Sequence, residues 1–459
     1  MSSSLQHPND NRPHRPTALA ILAAALNAVA PDRLLREALS FDEQTLRCGE
    51  QIYDLDAYER VVVIGAGKAS APMARALEQM LADRIDESFV VVREGYTVPT
   101  ERIEIFEAAH PMPDERSREG AARVLEIARA AGPSDLVICL LSGGGSSLLL
   151  APADGLTLDD LQQTTDVLVG SGADITAINT IRKHCSKLKG GRLAEAIAPA
   201  TSLTLVLSDV VGNPLDAIAS GPTVPDASTY ENAWQVVERF ELEDKLPDAV
   251  VAHLRAGVAG ERDETPKRGS QAFEKTTVAV IGDCATAAEA ALEQAREEGF
   301  DAAILTTTLE GEAREVGVVC ASLAREVRDH HRPIEPPACL ILAGETTVTL
   351  QGDGTGGRNQ ELALSAAHAL AGEADILVAT LATDGTDGPT DAAGAIIDGE
   401  TVGRGRRKDL DAVDHLRRND AYPFLEATGE LILTGPTNTN VNDLVCLLVT
   451  ALSPSDPTP

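Results

Sequence analysis

The chain has 459 residues, more than one ordinary domain of about 100–200 residues holds, so two domains are expected. Hydrophobic residues make up 43 % and aromatics only 3 %, so aliphatic side chains and alanine-rich helices must fill the cores. A net charge of −32 argues against nucleic-acid binding, which needs a basic face to neutralise phosphates, and against an anionic membrane surface.

Lysine occurs only at Lys68, Lys183, Lys187, Lys189, Lys245, Lys267, Lys275 and Lys408. Acidic excess with few lysines suits a salt-rich cytoplasm, where screening removes most of the self-repulsion; a halophilic, cytoplasmic protein is expected. The seven cysteines are scattered without paired spacing, which suggests neither a disulfide framework nor a zinc site. No apolar stretch reaches roughly 18 residues without charges, so no membrane span is expected.

In chain order, residues 1–16 are polar and read as a disordered extension without the apolar core of a signal peptide. A helix follows from Thr17. Short apolar strands then alternate with helices: strand 60–64 and helix 69–82, strands 89–93 and 103–108, helix 117–131 and strand 135–141. Helices 158–169 and 179–197 follow, then strand 202–207. This pattern implies parallel βαβ units and a doubly wound sheet over residues 17–256. The polar stretch 257–270 reads as a linker. A second α/β block over 271–453 begins with strand 277–281 and helix 285–298. It continues through strand 302–307, helix 312–328, strands 338–343 and 346–351, helix 359–371, strand 376–383 and a last strand from Leu444.

Ligands of open α/β sheets gather beyond the carboxyl ends of the strands, and five such segments stand out. Ile64-Gly-Ala-Gly-Lys-Ala-Ser70 joins a strand to a helix start through a glycine turn, an anion site made of free N–H groups. Lys68 is a cation where the helix dipole disfavours one; an ordinary turn with an exposed lysine is the alternative. The Walker A pattern fails at Val62 and after Lys68, and the dinucleotide fingerprint fails at Ser70, where it needs glycine. Ser142, Gly143, Gly144, Gly145, Ser146 and Ser147 read as a phosphate cradle or, alternatively, a flexible loop. No Gly-x-Ser-x-Gly elbow accompanies them, which sets aside a serine hydrolase.

The segment 179–192 carries three lysines with Arg182 and Arg192, and Lys183 and Lys187 at i and i+4 share a face if it is helical. A polyphosphate ligand or a neighbouring acidic surface must compensate their repulsion. Asp209 ends a buried strand, where a carboxylate serves as general base, Mg²⁺ ligand or helix cap. Arg358 follows a glycine-rich loop at a helix start, and its planar guanidinium suits a carboxylate or phosphate. Asp384, Asp387 and Asp391 form an acidic run that could hold Mg²⁺ or simply build Asp-Gly turns.

Eight motifs in this order complete the picture. They are Ile-Gly-Ala-Gly-Lys-Ala, His110-Pro-Met-Pro-Asp, Leu-Ser-Gly-Gly-Gly-Ser-Ser, Asn-Thr-Ile-Arg-Lys-His, Ser-Asp-Val-Val-Gly-Asn-Pro, Ala-Ser-Gly-Pro-Thr, Gly-Gly-Arg-Asn-Gln-Glu and Thr-Asp-Gly-Thr-Asp-Gly-Pro-Thr-Asp. Over about residues 20–450 the chain resembles the glycerate 2-kinase family, with its N-terminal kinase domain and C-terminal MOFRL domain. The resemblance implies two α/β domains, the first Rossmann-like and the second smaller, with the active site in the cleft between them. It also implies transfer of a phosphoryl group from ATP, with Mg²⁺, to the 2-hydroxyl of D-glycerate. It carries functional roles onto Lys68, Asp209 and Arg358 and points to Ser70 and Asn359 at the substrate. The 142–147 loop with Lys183 and Lys187 would hold the nucleotide, and Asp384 or Asp387 the metal. The rival activity is an NAD(P)H-dependent hydroxypyruvate reductase, a name that relatives of this family carry; the broken fingerprint at Ser70 speaks against it.

Overall fold

The computed structural model describes residues 12–450. They form two compact units, one of residues 31–281 and one of residues 12–30 with 282–450.

The first unit is built on a six-stranded sheet. Its strands run in the order Ile105–Ala108, Glu87–Arg93, Arg60–Ala66, Asp135–Leu141, Thr201–Leu207 and Thr276–Gly282. The first five are mutually parallel. Counted by chain position the order is 3-2-1-4-5-6, that of the Rossmann fold, and it reverses between strands one and four. Those two strands pair with Ala66 opposite Leu141, so the loops leaving them flank the switch point. All seven residues of Asp135–Leu141 are buried, which is why that strand reads as a continuous apolar run rather than an alternating one. Helix Glu115–Ala130 covers one face and starts at a capping box between Asp114 and Ser117, a device worth about 1 kcal/mol. A small antiparallel sheet of Leu39–Asp42, Thr45–Cys48 and Gln51–Asp54 is not among the expected elements, although Leu39-Ser-Phe-Asp42 and Thr45-Leu-Arg-Cys48 alternate apolar and polar residues; each run is only four residues long. A separate helical cluster, with Leu161, Ile181, Tyr230, Val237 and Leu254 at its core, adjoins the sheet.

The second unit holds a mixed sheet ordered Asp301–Leu309, Ala338–Gly344, Asp443–Val449, Ile376–Ala382, Gly394–Asp398 and Leu431–Ile432. Only its first pair is parallel. Its core gathers Leu340, Val378, Leu447, Leu362 and Phe424.

Five expectations change. Strand Thr276–Gly282 is the edge of the first sheet instead of the start of the second block, tied there by the Ser202 N–H to Lys275 O bond of 2.9 Å. The 257–270 stretch is therefore a loop of the first unit, folded back by the bonds of Asp226 N–H to Pro266 O and of Thr265 Oγ1 to Asp226. Helix Arg15–Ala28 belongs with the second unit, because its buried Ala18, Ile21, Leu22 and Ala25 pack on helix Cys284–Glu297. Of the expected disordered extension, residues 1–11 lie outside the described residues. Arg12 and Arg15 are ordered by Glu430, which is fully buried; Arg15 Nη1 meets its carboxylate at 2.6 Å, and Arg12 and Arg404 join at 2.8 Å. Finally, 346–351 is not a sheet strand. Thr347 bridges only to Glu312, and the Thr349 N–H bonds the Glu312 carboxylate.

All seven cysteines are buried and unpaired, and no single described helix is long and apolar enough to cross a membrane.

Candidate active site

At the carboxyl edge of the first sheet three neighbouring strands deliver Lys68, the 142–147 loop and Asp209. Gly67 and Lys68 follow strand Arg60–Ala66, and Lys68 N–H donates to Gly143 O at 2.8 Å. Gly67 lies at φ 143°, and a Cβ there would fall 2.1 Å from Ser142 Oγ; glycine is what lets the two loops interlock. Ser142 Oγ accepts from Ala69 N–H at 3.0 Å and shares a hydrogen bond of 3.0 Å with Ser70 Oγ, which also reaches Leu140 O.

These bonds correct two expectations. Ser70 and Ser142 are fully buried, their hydroxyls are used in joining the loops, and neither faces a ligand. Gly143 and Gly145 are also buried, so the cradle narrows to Gly144, Ser146 and Ser147, which are partly exposed. Gly144 is left-handed at φ 84°, and a Cβ on it would press on the His110 ring at 2.9 Å and approach Lys68 Cγ at 3.6 Å. Ser146 Oγ bonds Ser220 Oγ at 2.8 Å, and Ser220 Oγ reaches Asn179 Oδ1 at 3.2 Å. Ala219 and Ser220 both have positive φ, 50° and 60°. Such strained non-glycine residues persist only where their surroundings hold them, commonly beside functional loops. Asp209 follows buried Ser208 and is itself partly exposed.

The basic segment folds otherwise than expected. Helix Ile175–His184 ends where Ser186 Oγ caps the N–H groups of Leu188 and Lys189, and left-handed Gly190 and Gly191 follow. Lys183 and Lys187 therefore share no helix face. Lys183 is buried between Asp216 at 3.1 Å and Asp226 at 3.3 Å, and Lys187 pairs with Asp154 at 2.5 Å. Carboxylates of the protein itself provide the compensation that a nucleotide was expected to supply. Lys189 differs: it is 3 % exposed, and its Nζ donates to the carbonyls of Ser146 and Leu149. Burial and the charge of Arg182 push its pKa down to about 7.

In the second unit Arg358 opens helix Arg358–Ala369 and is held by carboxylates. Its Nε and Nη2 bind Asp443 at 2.5 and 3.0 Å, and Nη1 binds Glu345 at 2.7 Å. Three of its five N–H groups are engaged and two remain for a ligand. These charges raise its pKa further.

Asn359 is 1 % exposed, with its amide on Asp387 at 3.4 Å, so its expected place at the substrate is not borne out. Asp387 is buried and accepts the N–H groups of Asn359 and Gln360 at 3.2 and 2.9 Å. It caps the helix from outside the helix's own sequence. Burial and the Asp443 charge push its pKa up to about 7. Asp384 accepts the Thr386 N–H at 3.1 Å, closing a turn. The two do not fit Mg²⁺, since Asp387 spends its oxygens on the helix start. No group of three or more His, Cys, Asp or Glu suited to a metal occurs among the described residues.

The sequence reading includes Arg182 and Lys189 in the basic segment 179–192, and Ser220 and His110 in motifs, but gives none of the four an individual role. What distinguishes them is their packing around the 142–147 loop, which no motif encodes.

The comparisons with known proteins agree with this architecture. Residues 17–255 match the family model described as Domain of unknown function (DUF4147), and residues 338–443 match the MOFRL family. A protein of Pyrococcus horikoshii named glycerate 2-kinase is 42 % identical over 95 % of this chain and 98 % of its own length. The D-glycerate 2-kinase of Thermotoga maritima is 43 % identical over 94 % of this chain and 97 % of its own. A crystal structure of glycerate kinase (EC 2.7.1.31) from Thermotoga maritima superposes with a TM-score of 0.83 at 42 % identity, covering 95 % of this chain and 99 % of that one. Two matched domains in the same order, and identity above 40 % along nearly the whole length, place the chain in the glycerate 2-kinase family.

Proposed function

We propose that the protein transfers the γ-phosphoryl group of ATP to the 2-hydroxyl of D-glycerate, giving 2-phosphoglycerate and ADP. The observation that carries this reading is the family match along nearly the whole chain. A glycine loop and a lysine at the switch point of a Rossmann-ordered sheet support it.

Phosphoryl transfer is mostly positioning and charge stabilisation. In the proposed mechanism Asp209 orients the 2-hydroxyl and takes its proton as the oxygen attacks the γ-phosphorus. The bond to the ADP oxygen breaks and ADP leaves as the anion. Lys68 offsets charge on the moving phosphoryl group, and Gly144, Ser146 and Ser147 hold the phosphates. The two N–H groups left on Arg358 bind the glycerate carboxylate or a phosphate. Mg²⁺ enters with the nucleotide as part of the substrate. A halophilic, cytoplasmic setting is also proposed from the charge balance, and the melting temperature should rise in molar KCl.

The hydroxypyruvate reductase reading lacks support at Ser70, whose buried hydroxyl fills the place where a dinucleotide fingerprint needs glycine. Purified protein with D-glycerate, ATP and Mg²⁺ should release ADP and 2-phosphoglycerate in equal amounts, read by NMR of the product. Oxidation of NADH with hydroxypyruvate, without ADP formation, would overturn the proposal.

A further inference from the structure

Within the first unit a cavity of about 270 Å³ opens beside the Gly144–Ser147 loop. Its walls come from that loop, from residues 110–113 and from helices Leu158–Gly170 and Ile175–His184, capped by Thr157 and Asp174. Its lining combines apolar Met112, Leu150 and Leu161 with polar Ser146, Ser147, Arg182 and Lys189.

The charges are the informative part. In a chain with 71 acidic residues, nearby Lys183 and Lys187 each pair with a carboxylate. Arg182 and Lys189, which face this cavity, form no ion pair with a carboxylate among the described residues. Burial lowers the Arg182 pKa, as it does that of Lys189. Two partly or fully buried cations without counter-charge, in a cavity that also has apolar lining, are complementary to an organic anion with a flat hydrophobic body. Glycerate, with an oxygen on every carbon, offers no face for three apolar side chains; a nucleobase does.

We infer that this cavity receives the nucleoside monophosphate end of ATP, with the base against Met112, Leu150 and Leu161 and the α-phosphate at Arg182. The inference rests on the kinase reading above and adds where the donor's base is read. The outer phosphates then extend along Gly144, Ser146 and Ser147 toward Lys68. Lys189 positions the loop through its carbonyl bonds rather than touching the reacting atoms.

Two variants test it. Thr165 is partly exposed, lines the cavity, and its hydroxyl bonds only the Leu161 carbonyl of its own helix, so Thr165→Trp fills the space from the rim. Arg182→Gln removes the charge without filling it. Each should raise the KM for ATP at least tenfold while the KM for D-glycerate stays within twofold. Adenosine, a phosphate-free probe, should compete with ATP in the wild type and in Arg182→Gln, but not in Thr165→Trp. A rise in the glycerate KM instead, or two unchanged KM values in variants that melt like the wild type, would overturn the assignment. Should Thr165→Trp fail to fold, Arg182→Gln decides alone. Calorimetric titration of ATP without glycerate, wild type against Arg182→Gln, separates the two claims. If the wild type phosphorylates no glycerate, the kinase reading falls, while unequal ATP affinities would still support the cavity assignment and equal ones would overturn it.

Discussion

Both units hold cations beside glycine-rich loops, and they surround them differently. In the second unit Arg358 is wrapped by Asp443 and Glu345, while Asp387 caps the helix beneath it. The guanidinium is neutralised and fixed in direction before any ligand arrives. In the first unit the cavity beside the glycine loop carries Arg182 and Lys189 with carbonyls, not carboxylates, around the ammonium. The difference teaches that a cation at a helix start does not by itself announce an anionic ligand. Where the protein withholds its own carboxylates the whole charge is left for a ligand; where it supplies them, as at Arg358, only the N–H groups not already engaged can take one. The sheets differ in parallel: the Rossmann order creates a switch point in the first unit, whereas the second sheet is mostly antiparallel.

This contrast can be broken or sharpened by substitution. Lys68→Met should lower kcat at least ~10³-fold, about 4 kcal/mol of barrier, with an unchanged melting curve; a loss within tenfold would remove the lysine from the reaction. In the second unit Glu430→Gln should cost about 3–5 kcal/mol of stability, the price of stranding Arg12, Arg15 and Arg404, with the KM for glycerate unmoved. Denaturant unfolding reads it, and a midpoint equal to wild type would contradict the buried network. Gly144→Ala forces a side chain into the left-handed region against His110 and should cost about 1–3 kcal/mol, seen as a lower melting temperature and reduced kcat/KM. The last prediction concerns Lys189 and reads a slope with pH rather than a loss at one pH. Its pKa is depressed in the folded state to about 7 from 10.5, so the unfolded chain binds more protons between those values and stability rises with pH there. This contribution is complete above 10.5 and is lost as pH falls through 7. Lys189→Met should flatten the dependence of melting temperature on pH across that window, and an unaltered slope would place the ammonium in a more polar setting.

Much of this was legible because buried parallel strands write themselves as apolar runs. Strand Asp135–Leu141 was bounded to the residue, and helix Ser70–Leu81 to within one at each end. Charge pairing across sequence distance was not legible. In sequence Lys183 reads as needing a ligand, because Asp216 and Asp226 lie 33 and 43 residues away. Ser70, Ser142 and Asn359 had the right chemistry for a site but are buried between loops, a fact of packing that no motif encodes. Strand Thr276–Gly282 was given to the wrong sheet because an edge strand after a polar loop looks the same whether the chain stays or moves on. Helix Arg15–Ala28 shows the reverse case, in which chain proximity suggested one unit and the burial of Arg15 on Glu430 ties it to the other.

The proposal rests most on Lys68 and Arg358 both serving the phosphoryl transfer. A double-mutant cycle on kcat/KM with Lys68→Met, Arg358→Met and the double variant tests it most directly. The account predicts a large loss for each single variant and a double variant scarcely worse than the poorer of the two. Losses that simply multiply, or an Arg358→Met enzyme within twofold of wild type, would contradict it.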